Sequence, residues 1–377
     1  MRILSVVTLI SPDGAYGGPV RVAVNQAAAL IAAGHQVTVA AGTRGYQQPP
    51  TELDGVGLRL FPVRTILPGT GFAGLAAPGM LRWLRRSASD FDVAHIHLAR
   101  DLVTLPAAAR VRKAGVPYFV QTHGMIDPST NPLAGPLDAM LTIRLLRGAS
   151  GVFHLTGFER EQLRAVAGDL TFESLPNGVP ATEAGPKLSP PLEVLYLARL
   201  APRKRPVAFV EAAVQVSRRH PGNRFRLVGP DEGEGPRVEA AVHAARESGV
   251  DIAWEGPIPP SQTIDRMRRA GVYVLPSVDE PYPMSVLEAL SVGRPVVLTD
   301  TCGLAGFVAE HQAGRVVDAT AEQLSAAISS LLDDPDAAAA AGIRGRAAVR
   351  TELAMPAIAE RLAQRYSAAV AAAPTPS

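Results

Sequence analysis

Apolar positions along the chain fall into short runs separated by stretches at helical spacing. Residues 3–9 are β-branched and aliphatic, and residues 19–33 are alanine-rich with apolar positions at helical spacing until Gly34 ends them. Residues 36–41 (QVTVAA), 93–98 (VAHIHL), 116–121 (VPYFVQ) and 151–155 (GVFHL) predict further strands with helices between them. Residues 180–191 (PATEAGPKLSPP) then break the rhythm with proline and small residues and no apolar period, as a linker does. The alternation resumes with strands over 193–198, 225–228, 252–254, 272–275 and 295–298, and residues 355–373 read as a last helix.

Short apolar strands alternating with helices predict parallel sheets covered on both faces. The expected fold class is therefore α/β, with two Rossmann-like, doubly wound domains facing each other. Their expected bounds are 1–182 and 192–355, joined by a linker over 183–191, with a C-terminal helix over 356–377. Such sheets bind ligands beyond the carboxyl ends of their strands, so the loops after strands, bordering a cleft between the domains, are where chemistry is sought.

Composition narrows the classes. A chain of 377 residues with 47% hydrophobic residues suits two soluble domains. A formal net charge of +2 gives no footprint for nucleic acid as a main partner. The single cysteine, Cys302, allows no intrachain disulfide and has no recognisable base beside it. The opening apolar run is too short for a membrane span, which points to a cytoplasmic protein. Residues 75–86 (LAAPGMLRWLRR) mix bulky apolar residues with arginines, either as an interfacial segment making peripheral contact with the inner membrane face or as a surface helix packing inward.

Four loops after strands carry candidate chemistry. Gly17-Gly18 before Pro19 opens a helix whose N-terminus suits an anion, yet the spacing is not GxGxxG and strand 36–41 lacks a terminal acid, which disfavours a dinucleotide cofactor. His123-Gly124 follows strand 116–121 and can donate to a hydroxyl or carbonyl. Arg199 ends a strand, and Lys204 lies five residues on between Arg203 and Arg205; a guanidinium fork and a point charge suit a diphosphate. The stretch DEPYPMSVLEAL places Glu280 before a stiff turn and Glu288 in the following helix. Ser285-x-x-Glu288 reads as a capping box, or alternatively the two acids border an anion site made by the amides of Met284, Ser285 and Val286. Asp90-Phe91-Asp92 spells DxD but runs into a strand, and no metal site is expected.

The pair Glu280 and Glu288, with seven residues between them across a strand-turn-helix, resembles the paired-glutamate motif of retaining glycosyltransferase family 4, enzymes of the GT-B fold. Gly17-Gly18, His123-Gly124, Pro176-Asn177-Gly178-Val179, Arg199 with Lys204, Gly229-Pro230 and Gly293-x-Pro295 match the same family in order along nearly the whole chain. The resemblance implies a sugar transferred from a nucleotide-diphosphate sugar, UDP- or GDP-linked, to a glycan, lipid-linked or small-molecule hydroxyl, with no further cofactor. It implies that Arg199 and Lys204 clamp the diphosphate, Glu288 holds the ribose, and Glu280 and His123 meet the sugar. Gly17, Gly18 and Gly229 would face the donor, with Pro257 and Ile258 beside the base. It further implies front-face attack, the leaving phosphate taking the acceptor's proton. Two positions depart from the family's pattern: Pro281-Tyr282-Pro283 stands where a glycine-containing turn is usual, and Arg205 stands for the usual glycine after the lysine. An epimerase on the same fold, or a sugar-nucleotide-binding protein without catalysis, are the alternatives.

Overall fold

The computed structural model describes all residues except 13–16, 130, 132–133, 188 and 374–377. It divides into two compact units, Met1–Gly178 with Met355–Ser377, and Val179–Ala354.

The first unit is built on seven parallel strands: β1 (Arg2–Ile10), β2 (Gln36–Thr43), β3 (Val56–Pro62), β4 (Val93–His97), β5 (Tyr118–Gln121), β6 (Gly151–His154) and β7 (Phe172–Ser174). Their order is β7-β6-β5-β4-β1-β2-β3, with the short strand Glu52–Leu53 antiparallel at the β3 edge. Strands inside such a sheet are covered on both faces, and all five residues of β4 are buried accordingly. One face packs against α2 (Pro78–Ser87), α3 (Thr104–Lys113) and α4 (Gly157–Ala167). The other packs against α1 (Gly17–Ala32) and the closing helix, Met355–Ala372. In that closing helix Met355, Ile358, Ala359, Leu362 and Tyr366 form a stripe at helical spacing, buried against the first unit.

The second unit has β8 (Glu193–Leu197), α5 (Pro206–Arg219), β9 (Arg224–Val228), α6 (Gly235–Glu247), β10 (Ile252–Trp254), α7 (Thr263–Arg269), β11 (Val272–Leu275), α8 (Met284–Ser291), β12 (Val296–Thr299) and β13 (Gly314–Val317). The strand order is β10-β9-β8-β11-β12-β13, all parallel. This is the doubly wound order of a nucleotide-binding sheet, reversing direction between β8 and β11.

Residues 183–191, expected as a linker, instead belong to the second unit. Thr182 Oγ1 donates to the Ser291 carbonyl at 3.0 Å, the Gly185 amide to the Val292 carbonyl at 2.8 Å, and Arg294 to the Pro186 carbonyl at 3.0 Å. The end of α8 leaves carbonyls without helical partners, and this segment's free donors satisfy them. The chain passes from the first unit to the second at Gly178–Val179. Most of residues 75–86 fall in α2, with Met80 and Leu84 buried and Trp83 tilted against Phe61 at 5.5 Å between ring centres. Its apolar face is spent on the core, so the outward face is arginine.

Candidate active site

The reversal point of the second sheet lies between β8 and β11, and the loops leaving those two strands carry the candidate cations and the first glutamate. After β8 the chain turns through a short 3₁₀ segment, Pro202–Lys204. Lys204 closes it, its amide donating to the Ala201 carbonyl at 2.9 Å. Arg205 follows in the left-handed conformation at φ +51°. That conformation explains why glycine suits this position; here Arg205 pins itself by donating to the Ala319 carbonyl. The second loop is tied to the first by the Val278 amide, which donates to the Arg203 carbonyl at 3.0 Å.

Lys204 and Glu280 meet at this junction. Lys204 Nζ lies 2.6 Å from Glu280 Oε2, and both side chains are about nine-tenths buried. Burial lowers the Lys204 pKa, opposed by the Glu280 carboxylate. Arg203 adds a longer contact to the same oxygen at 3.5 Å. Glu280 is held from behind by the Gly303 amide, which donates to its carbonyl at 2.8 Å. Arg199 points elsewhere: its NH1 contacts both oxygens of Glu232 at 2.7 and 2.8 Å, in an exposed pair.

The capping-box reading of Ser285 and Glu288 does not hold. The helix begins at Met284 with Pro283 in the cap position, so Ser285 already lies inside it. The Ser285 hydroxyl sits 2.8 Å from the Tyr273 hydroxyl, which donates to the Leu197 carbonyl at 3.0 Å and so ties the start of α8 to the end of β8. Of the three amides expected to face an anion, that of Val286 donates to the Pro283 carbonyl at 3.2 Å. Those of Met284 and Ser285 lie in the first turn, where no intrahelical acceptor exists. Glu288 is buried on the same helix.

Gly229 follows β9 at φ +149°, and a Cβ there would stand 2.0 Å from the Ala198 carbonyl oxygen. Only glycine lets this strand end lie against the backbone that presents Arg199. Pro257 and Ile258 follow β10 in a loop at the same edge of the sheet, Pro257 exposed and Ile258 packed on the core.

Gly17, Gly18 and His123 belong to the first unit. Helix α1 starts at Gly17, and the preceding residues 13–16 lie outside the described residues. A Cβ on Gly18 would meet nothing within 4 Å, so packing does not demand the glycine. His123 ends a column of rings. Its Nε2 lies 2.7 Å from His97 Nδ1, and the two rings stack at 5.0 Å. His97 stacks on His95 at 4.6 Å, and His95 Nδ1 lies 2.5 Å from the Tyr366 hydroxyl of the closing helix. Burial drives His95 and His123 down to about 3 and His97 well below its ordinary value, so all three are neutral near pH 7.

Asp92 of the DxD stretch accepts from the Arg2 amide at 2.7 Å and pairs with its guanidinium, fixing a strand start. Among the described residues no group of three or more His, Cys, Asp or Glu side chains is arranged to hold a metal, and no helix is long and apolar enough to cross a membrane. Burial pushes the Cys302 thiol up to about 11, away from nucleophilic use.

Sequence reasoning missed Glu232, the partner of Arg199, although it sits in an acidic run directly after a strand. It also missed Glu159, whose Thr156-x-x-Glu159 spacing is an N-terminal helix signature.

Comparison with known proteins bears on the family and the fold. Residues 17–178 match the profile described as a glycosyl transferase 4-like domain, and residues 182–348 that of glycosyl transferases group 1. The D-inositol 3-phosphate glycosyltransferase of Nocardia farcinica is 31% identical over 303 residues, covering 78% of this chain; the chain spans 64% of that relative's length. Among solved structures, Anabaena HepE in complex with UDP and glucose superposes with a TM-score of 0.77 at 17% identity, over 98% of this chain and 100% of that one. Sucrose-phosphate synthase from Thermosynechococcus elongatus gives 0.76 at 20% identity, over 99% and 100%. Two parallel Rossmann-like sheets, the paired glutamates and both matching profiles place the chain in glycosyltransferase family 4, with the GT-B fold.

Proposed function

We propose that the protein is a retaining glycosyltransferase that moves a sugar from a nucleoside-diphosphate sugar to an acceptor hydroxyl. The observation that carries this reading is the buried Lys204–Glu280 pair at the reversal point of the second sheet. A lysine and a carboxylate sharing one pocket can meet the two ends of a sugar diphosphate, the cation on phosphate oxygens and the acid on sugar hydroxyls. Arg199 supplies the second cation once it leaves Glu232. Glu288 takes the nucleotide ribose, and the free amides at the start of α8 face a phosphate. Gly229 shapes the edge, Pro257 and Ile258 border the base, and Gly17, Gly18 and His123 are the first unit's candidate donor contacts.

In the step itself, the bond between the anomeric carbon and the β-phosphate oxygen breaks while the acceptor oxygen bonds to that carbon on the same face. The acceptor's proton passes to the departing phosphate. Lys204 and Arg199 stabilise the charge that grows on that phosphate, an electrostatic contribution of the kind that usually dominates. Glu280 is a poor nucleophile beside a lysine ammonium, which supports attack without an enzyme-bound sugar.

The test is incubation with nucleotide sugars and acceptors. UDP-glucose, a bound ligand in HepE, and inositol 3-phosphate, from the name of the Nocardia relative, are the first pair to try, followed by GDP-linked donors and glycan or lipid-linked acceptors. Nucleotide release that depends on acceptor, with the anomeric configuration kept in the product, supports the reading. An altered sugar nucleotide indicates epimerisation, and donor binding without turnover under every acceptor indicates a sensor; either refutes transfer.

A further inference from the structure

The turn that follows β5 is unusual in its chemistry. The Met125 amide donates to the Thr122 carbonyl at 2.9 Å, and both central residues have positive φ, His123 at +53° and Gly124 at +73°. Turns with φ positive at both centres are built from Gly, Asn and Asp, whose side chains tolerate that region. A histidine there persists only where its surroundings over-determine it, and such positions gather at functional sites.

Two restraints surround His123. Its ring is fixed by His97 at Nε2, which leaves Nδ1 as the other ring nitrogen. Its backbone is fixed by Glu159, one of the most buried acids in the chain at 1% exposure. Glu159 Oε1 accepts from the Thr122 hydroxyl at 2.5 Å and from the Gly124 amide at 2.6 Å, the residues on either side of His123. Its Oε2 accepts from the Leu155 amide at the end of β6 at 2.6 Å. A glutamate three residues after an N-cap threonine usually reaches back to the cap residue's own amide. Here Thr156 does cap Glu159, its hydroxyl accepting the Glu159 amide at 3.1 Å, yet the carboxylate is turned to the neighbouring strand's turn.

We propose that Glu159 is a positioning residue for the sugar site. By gripping Thr122 and Gly124 it holds His123 left-handed, and with His97 on Nε2 this leaves Nδ1 to meet the transferred sugar. The inference rests on the transferase reading for what His123 touches, and on geometry alone for how it is held.

The experiment compares Glu159→Gln, His123→Ala and the double variant. A glutamine keeps the shape but offers a donor where one of three donors must be received. Glu159→Gln is expected to lower kcat by about 30-fold with donor KM within about threefold, and the double variant to be no slower than His123→Ala, because both act through one group. Multiplying effects overturn the proposal. Thr122→Val removes one grip only and serves if Glu159→Gln does not fold; it is expected to show the same lack of additivity with His123→Ala. A protein that turns over no nucleotide sugar refutes the transferase reading instead. In that case the ring ¹⁵N shifts of His123 decide the positioning: they move in Glu159→Gln or Thr122→Val if the grip is real, and unchanged shifts overturn it.

Discussion

Acid should loosen the first unit through its buried histidines. Unfolded, each has an ordinary pKa near 6.5; folded, His95 and His123 stand at about 3 and His97 well below 6.5. Between those values the unfolded chain binds protons that the folded chain refuses. Stability from these rings is therefore complete above about pH 7 and is lost as pH falls through 6.5 toward 3. At pH 5 an ordinary histidine is about 97% protonated, so moving from pH 7 to pH 5 removes about 2 kcal/mol for each ring that stays neutral. Asp101 works the other way: burial raises its carboxyl to about 6, which returns about 1 kcal/mol over the same interval.

The difference between two proteins isolates the effect. His97→Phe keeps an aromatic ring in the stack but takes no proton, while Asp101, His35 and His154 titrate alike in both. Urea unfolding is followed by Trp83, half-buried between Phe61 and Phe91 in the first unit, with Trp254→Phe as background. The loss of unfolding free energy from pH 7 to pH 5 should shrink by about 2 kcal/mol in His97→Phe. An equal loss in both proteins would show that His97 protonates in place, and the buried-column account would fail.

Other perturbations follow from the second unit. Lys204→Ala and Glu280→Ala should each cut turnover by about 100-fold or more, and a near-native rate in either contradicts their place in the site. Glu232→Gln releases Arg199 from an exposed pair worth at most about 1 kcal/mol, so calorimetry should show nucleotide binding up to about fivefold tighter; weaker binding would mean that Glu232 is no mere holder. Gly229→Ala drives a methyl group against the Ala198 carbonyl and should cost about 2 kcal/mol, read as a lower melting temperature, and unchanged melting would contradict the close approach.

What the sequence made legible was decided by burial. Strands covered on both faces are nearly uninterrupted apolar runs, so β1, β8, β11 and β12 stand out in the pattern. β3 lies next to the edge and alternates, with Arg59 and Pro62 interrupting its apolar residues, and β7 and β13 are short and partly exposed, so none reads as a buried strand. The site followed the same rule. Lys204 and Glu280 could be singled out because loops after strands are where sheets bind ligands, but their pairing spans 76 residues and needs the fold. The Arg199–Glu232 pair is hidden for the same reason. Ser285-x-x-Glu288 misled because spacing cannot tell whether a proline already occupies the cap. Thr156-x-x-Glu159 had the true cap, and only the tertiary packing of β6 beside β5 turned its acid toward His123.

The second unit has a consistent logic of charge. Each cation assigned to the diphosphate already rests on a carboxylate: Lys204 on Glu280 in a buried pocket, Arg199 on Glu232 at the surface. A buried ammonium without a partner loses its proton or costs several kcal/mol, so Glu280 keeps Lys204 charged until phosphate arrives. On the proposed reading of the site, an arriving diphosphate must then outcompete two carboxylates. It does so with more negative charge and with the amides at the start of α8, which no carboxylate in the pairs uses. Glu280, released from sole duty to Lys204, becomes free to accept hydrogen bonds from sugar hydroxyls. A nucleotide diphosphate that lacks the sugar gives Glu280 nothing to hold in return. On that reading the intact donor gains where the spent nucleotide does not, and the buried Lys204–Glu280 pair favours substrate over product.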